Sequence, residues 1–197
     1  MFDRRAFLIL SGSLLSVPAT TALAVDAEAR LIERFYASIQ QVMKRAAGQS
    51  VAARAQTLSG PVNATFDIAT MTRLAVGSEW SRMSGGQQGA IRQAFGRFLV
   101  ATYAKRIEGY SGERFEVTPA TEQRRTGRLV RTRIVEASGT TAIDYVVSGG
   151  RAIDVYLNGA VSELASRRAE FESLLASGGP AALQQGLQER TQRLLAG

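Results

Sequence analysis

The chain has 197 residues, with 24 Lys and Arg against 17 Asp and Glu, a net charge of +7, and neither cysteine nor histidine. Without these two residue types there is no thiolate nucleophile, disulfide, Ser-His-Asp triad, structural zinc site or histidine general base. Any metal would have to be a hard ion such as calcium or magnesium, held by carboxylates and carbonyls. At 45% hydrophobic and 21% charged, the composition is that of one ordinary globular domain.

Residues 1–24, MFDRRAFLILSGSLLSVPATTALA, have the layout of an export signal. Arg4 and Arg5 make a basic start, an apolar run extends from Ala6 to Val17, and Ala22-Leu23-Ala24 has the A-x-A form of a signal-peptidase site. The run falls short of the roughly 20 residues needed to cross a bilayer. Arg4-Arg5-Ala6-Phe7-Leu8 looks like a twin-arginine signal, with Asp3 and Ile9 departing from its usual form. The general secretory route is the alternative. One domain over 25–197 is then expected in the periplasm, with a charge of +6 once Asp3, Arg4 and Arg5 are removed.

Residues 28–46 place Leu31, Ile32, Phe35, Ile39, Val42, Met43 and Ala46 on one helical stripe, ended by Gly48. A short helix follows from Thr65 or Asp67 to Val76, with Phe66, Met71 and Leu74 inward and Gly77 as its stop. Ser84-Gly85-Gly86-Gln87 has the S-x-x-Q spacing of a capping box. It opens a long helix striped by Ile91, Phe95, Phe98, Leu99, Tyr103 and Ile107 and closed by Gly109.

Alternation then replaces helical spacing. Phe115 and Val117 mark a first strand, Leu129 to Val135 a second, and Ile143, Tyr145 and Val147 a third. Ser148-Gly149-Gly150 turns into a fourth, carrying Ile153, Val155 and Leu157. Ser162 caps a helix with Leu164, Phe171, Leu174 and Leu175 inward; Gly178-Gly179-Pro180 interrupts it, and Leu183, Leu187, Leu194 and Leu195 continue it. Helices, a four-stranded antiparallel meander and further helices predict an α+β domain.

The glycine pairs at 85–86, 149–150 and 178–179 lack the Lys-Ser/Thr of a phosphate loop and read as turns. Gly159-Ala160-Val161-Ser162 lacks the spacing of a nucleophile elbow, so Ser162 reads as a helix cap. Asp144 and Asp154 alternate with the apolar residues of their strands and read as surface carboxylates facing arginines. Of the basic residues only Lys44 and Lys105 are lysines. Arginine matches phosphate with two parallel hydrogen bonds, and Arg124, Arg125, Arg128, Arg131 and Arg133 cluster about one hairpin. In an exported protein such a patch faces phospholipid headgroups or an acidic protein surface rather than nucleic acid; a compositional preference for arginine is the plainer explanation.

The string TFDIATMTRLAVGSEW at 65–80, Gln88, AFGRFLVATYAKRIEGYSGERFEV at 94–117 and AIDVYLNGAVSELASRRAEFESLLASGG at 152–179 together resemble the periplasmic lipid-binding proteins of the Mla phospholipid-transport system, the toluene-tolerance auxiliary component family. The resemblance covers nearly all of 25–197 and keeps the order of the motifs. DVYLNGAVSELASRRAEF looks especially like the branch associated with hopanoid biosynthesis. One departure is that Gly150 and Arg151 stand where the family usually has a Trp before its last strand.

The resemblance implies a cone related to nuclear transport factor 2, a curved sheet wrapped by helices around a deep apolar cavity. It also implies a monomeric carrier with no cofactor beyond its bound lipid, phospholipid or hopanoid. Its partners would be an inner-membrane ABC transporter with a lipid-binding ring and an outer-membrane lipoprotein complex. The expected lining is Ile134, Tyr145, Val147 and Val155 from the sheet, with Phe66, Met71, Leu74, Phe95, Leu99 and Tyr103 from the helices. Arg124, Arg125 and Arg128 are candidates for headgroup contact or docking, and Trp80 for a structural anchor. A small enzyme on the same fold would need an inward carboxylate beside Tyr103, Tyr110 or Tyr145, and an adaptor would dock to the transporter without carrying lipid.

Overall fold

The computed structural model describes residues 25–107 and 109–197; the export signal expected over 1–24 lies outside them. Helix α1 (Ala27–Arg45) buries Ala29, Ile32, Phe35, Tyr36, Ile39 and Val42. Leu31 and Met43 of the expected stripe are only partly buried and sit on its flank. Asp26, just before α1, ties its start to the sheet: it accepts from the Thr121 backbone N–H at 3.0 Å, the Thr121 hydroxyl at 2.7 Å and Arg128 at 2.9 Å.

Helix α2 (Val51–Thr65) stands where the sequence reading assigns no element. Gly60 and Pro61 hide it. Glycine is a poor helix former, and proline removes one i to i−4 bond and crowds the preceding turn. The helix persists because Val51, Leu58 and Val62 bury one face against neighbouring elements. Ser50 caps its start by accepting from Ala53 N–H at 3.2 Å.

Helix α3 (Ile68–Val76) is capped by Asp67, which accepts from Thr70 N–H at 2.9 Å. A 3₁₀ turn over Gly77–Arg82 leads into α4 (Gly85–Arg106). The capping box expected there is formed in full: the Gln87 side chain accepts from Ser84 N–H at 2.9 Å, and the Ser84 hydroxyl from Gln87 N–H at 3.3 Å. Trp80 is half-buried against the core, and its carbonyl accepts from the Gln88 side chain at 2.8 Å.

The sheet has seven strands rather than four: β1 (Arg114–Val117), β2 (Glu122–Arg124), β3 (Gly127–Val130), β4 (Thr132–Glu136), β5 (Gly139–Ser148), β6 (Arg151–Leu157) and β7 (Val161–Ser162). All named pairs are antiparallel. The extra strands are two or three residues long or come from dividing the expected Leu129–Val135 strand. That strand is one line in register, since Val130 pairs with Tyr145 and Arg133 with Ala142, but its ladder lapses at Arg131. There Thr132 turns to side-chain bonding: its hydroxyl donates to Ile143 O, and its N–H donates to the Asp144 carboxylate at 3.4 Å. This lapse and the register shift between Val146 and Val147 are where the sheet can bend. Gly149 and Gly150, with φ of 57° and 75°, form the two-residue β5–β6 turn. Both positions need a left-handed backbone, which accounts locally for glycine at 150.

Helix α5 (Glu163–Leu195) breaks where expected, with non-helical Gly178 and Gly179 ahead of Pro180. Ser162 caps it, accepting from Ala165 N–H at 2.9 Å. The helices collect on one face of the sheet. A single parallel bridge, Phe66 to Ala152, and the bond from Asp67 N–H to Ala152 O at 2.9 Å stitch the α2–α3 corner to β6.

Asp144 corrects an expectation. It is 5% exposed, not a surface residue, because the outer sheet face carries its own small apolar cluster of Leu129, Val146 and Ile153, flanked by Tyr156. Asp154 is likewise drawn inward by the Ser162 hydroxyl at 2.7 Å and Leu164 N–H at 3.1 Å. Burial raises its carboxyl pKa, and those hydrogen bonds oppose the rise.

Candidate functional site

Aromatic rings occupy the space between helices and sheet, where the resemblance implies a deep cavity. Phe35 meets Phe66 and Tyr103 edge-on, both at 5.2 Å between centroids, and Tyr145 closes on Tyr36 at 5.9 Å. Such edge-to-face pairs are the preferred geometry for aromatic quadrupoles and add to the area that the rings bury. What remains open is a narrow slot of about 40 Å³ between α3, α4, β6 and the start of α5.

The slot brings together Met71, Phe95, Leu99, Tyr103 and Val155, all expected lining residues. Phe66, Tyr145 and Val147 form the packed core behind it. Ile134 is on the same inward parity as Val130 but pairs with Phe115 toward the β1 edge, away from the slot. Leu74 is 37% exposed. Helix α3 packs through Met71, Thr72, Ala75 and Val76, and that face leaves Leu74 turned outward.

Phe98, Thr102, Arg106, Glu163, Leu164 and Arg167 complete the slot and were not among the expected lining residues. Phe98 and Leu164 stood on the helical stripes, so their inward direction was readable. Arg167 carried no local signal, being one arginine among many. In the structure it covers the mouth: its guanidinium lies 4.9 Å from the Phe98 ring centroid and bonds Glu170 at 2.9 Å and Glu163 at 3.5 Å. A cation over an aromatic face is attracted by the ring quadrupole, so Arg167 is held from two sides.

The slot opens into a basin of about 460 Å³ shared by the last turn of α4 and both halves of α5. Lys105, Arg106, Arg167, Arg190 and Arg193 surround it. A larger open cleft of about 810 Å³ runs between α2, α4 and the end of α5, with a mostly apolar wall of Ala52, Ala55, Ile68, Val100 and Leu195 and polar residues such as Ser59 and Arg92 around it. None of the expected lining residues borders it. It is more open than the slot, so an apolar chain laid there would keep more contact with water.

The hairpin arginines are held by carboxylates. Arg124 bonds Glu122 at 2.8 Å, Arg128 bonds Asp26 at 2.9 Å, and Arg131 bonds both Glu122 and Asp144. Arg125 is exposed in the β2–β3 turn. Hydrogen bonds from Thr121, then Arg128, hold the Asp26 carboxyl below the usual carboxylate range.

Burial pushes the phenols of Tyr36, Tyr103 and Tyr145 up, so all three are neutral at physiological pH. Tyr36 shares a 2.6 Å hydrogen bond with the Thr132 hydroxyl. Thr132 stands between that phenol and Asp144, whose carboxylate lies toward Arg131 at 3.5 Å. No cluster of three or more acidic residues that could hold a metal ion occurs among the described residues. None of the described helices is long and apolar enough to cross a membrane.

No curated protein matches the chain. Among solved structures, a phospholipid-binding protein from Ralstonia solanacearum, in complex with a phospholipid, matches with a TM-score of 0.73 and 21% identity. The match covers 86% of this chain and 98% of that one, and at this identity it establishes a shared fold. The family model described as MlaC protein matches residues 32–189, most of the chain from the second turn of α1 to late α5, and the chain belongs to that family.

Proposed function

We propose that this protein is a periplasmic lipid carrier that takes up the acyl chains of a phospholipid between α4, the first half of α5 and the sheet. It would shuttle lipid between an inner-membrane ABC transporter and the outer membrane. The observation that carries this reading is the apolar slot of Met71, Phe95, Leu99, Tyr103 and Val155, in a fold shared with a phospholipid-bound protein. Each methylene exposed to water costs about 0.8 kcal/mol, so a sixteen-carbon chain crossing the periplasm uncovered would cost on the order of 12 kcal/mol. Covering the chain is therefore the central task, and a slot between sheet and helices suits it better than the more open cleft between α2, α4 and the end of α5.

A slot of about 40 Å³ has no room for such a chain, so uptake requires the wall to part. The proposal assigns that movement to the first half of α5, which meets α4 through the Phe95–Phe171 edge contact at 5.7 Å and the Arg167–Phe98 stack. Gly178 and Gly179 separate it from the second half of the helix. Met71, with three rotatable bonds, can re-pack around an incoming chain.

The test is organic-solvent extraction of protein purified from cells, followed by mass spectrometry, for the native chain and a Leu99→Trp variant that fills the slot. Stoichiometric phospholipid on the native chain and its loss from a folded Leu99→Trp protein are expected. Lipid-free native protein would refute the carrier. The 154–171 tract resembles the hopanoid-associated branch, and a pentacyclic lipid in the extract would replace phospholipid as the cargo.

A further inference from the structure

We propose that the basin beside the slot is the binding site for the anionic phosphate of the carried lipid, with Arg106 and Arg193 as its two accessible guanidinium arms. This rests on the carrier reading above and adds to it the part of the lipid that the apolar slot leaves outside.

Continuity is the first argument. Phe98, Thr102, Arg106 and Arg167 border both the slot and the basin, so acyl chains in the slot would leave their headgroup in the basin. The charge distribution is the second. Five cations face the basin, and among the described residues Glu163 and Glu170 pair with Arg167 and Arg190 there. Among the described residues, Lys105, Arg106 and Arg193 have no ion-pair partner. In the hairpin, Arg124, Arg128 and Arg131 are each bound to carboxylates, and the exposed Arg125 borders neither the slot nor the basin. The third argument is crowding. The Arg190 guanidinium has its pKa lowered first by burial and then by the like charges of Arg167 and Arg193. An anion seated among them would relieve that repulsion, and a planar guanidinium meets phosphate with two parallel hydrogen bonds.

The headgroup site is tested with delipidated full-length mature chain and two probes sharing the same labelled acyl chains, phosphatidylglycerol and diacylglycerol, each presented from vesicles. Arg193→Gln removes an exposed arm that borders the basin and not the slot. The expected result is a loss of about tenfold or more in phosphatidylglycerol affinity, with diacylglycerol binding and melting temperature unchanged. Arg193→Lys should recover part of the loss. Inorganic phosphate in excess should weaken phosphatidylglycerol binding and spare diacylglycerol.

Unchanged phosphatidylglycerol affinity in the Gln variant would overturn the headgroup site while leaving the carrier intact. So would an equal fall for both lipids, which would mean that Arg193 shapes the slot. Inorganic phosphate that binds the basin without affecting phosphatidylglycerol would likewise overturn it, by assigning the site to a free anion. Failure of the native chain to bind either lipid would instead bring down the carrier reading itself.

Discussion

Arg54 offers a demanding check on how the candidate site is held in place. It is 8% exposed on α2, and its Nε donates to Ala104 O at 3.1 Å while Nη1 donates to Gln49 O at 2.7 Å. The last four carbonyls of any helix lack intrahelical partners, and Ala104 O is one of those at the end of α4. A cation at a helix C-terminus is also favoured by the helix dipole. In Arg54→Met the stem packing is kept and both donors are lost. Gln49 is exposed, so its carbonyl can turn to water. Ala104 is fully buried, so its carbonyl cannot.

A hydrogen bond to a charged group contributes about 1.5–3 kcal/mol. Relief from burying the guanidinium offsets part of that loss. A net loss of about 2 kcal/mol is expected, which for a domain of this size lowers the melting temperature by about 4–8 °C. Thermal unfolding followed by far-ultraviolet circular dichroism measures it. Arg54→Lys, which can reach one carbonyl, should fall between the two. The last turn of α4 also carries Tyr103, Lys105 and Arg106, so lipid affinity should fall with stability in both variants. An unchanged or raised melting temperature for Arg54→Met would refute the reasoning, because it would show that the α4 terminus finds its partners without the guanidinium.

Asp26 has a lowered pKa, so its contribution is full above the ordinary carboxylate value of about 4 and is lost as pH falls through its lower folded value. Asp26→Asn should therefore melt below the native chain at neutral pH, and the gap should close on acidification below pH ~4 in a melting series. At Gly127 a Cβ would stand 2.3 Å from Val147 O, backbone against backbone in the β3–β5 pair. Gly127→Ala is expected to cost about 1–3 kcal/mol in denaturant unfolding. Ser84→Ala removes one half of the α4 capping box and should cost about 1 kcal/mol by the same measurement.

The elements legible in the sequence are those whose order is written in local spacing. The α1 stripe, the Ser84–Gln87 box, the α5 break at Gly178-Gly179 and the β5–β6 glycine turn all depend on residues within a few positions of one another. Helix α2 was hidden for a related reason: Gly60 and Pro61 argue locally against a helix, and only burial of Val51, Leu58 and Val62 by distant elements overrides them. Leu74 shows the opposite error. It is apolar and well spaced, yet the face that α3 presents is chosen by its packing partners, and that choice leaves Leu74 outside.

The same division runs through the site. The apolar wall on α4 was readable because Phe95, Leu99 and Tyr103 follow the helical repeat. The mouth was not, because Arg106, Arg167, Arg190 and Arg193 are scattered over 88 positions and meet only when α5 folds back along α4. Sequence alone therefore determined the types of all the helices but α2 and of the longer strands, most of their ends, the α+β class and the absence of Cys and His chemistry, since each follows from composition or short-range periodicity. Tertiary structure decided which apolar residues face the slot and which fill the core, and which arginines are neutralised and which are left facing an opening. Burial and ion pairing are properties of neighbours in space, and for a chain rich in arginine and leucine-like residues, local spacing leaves most of those neighbours undetermined.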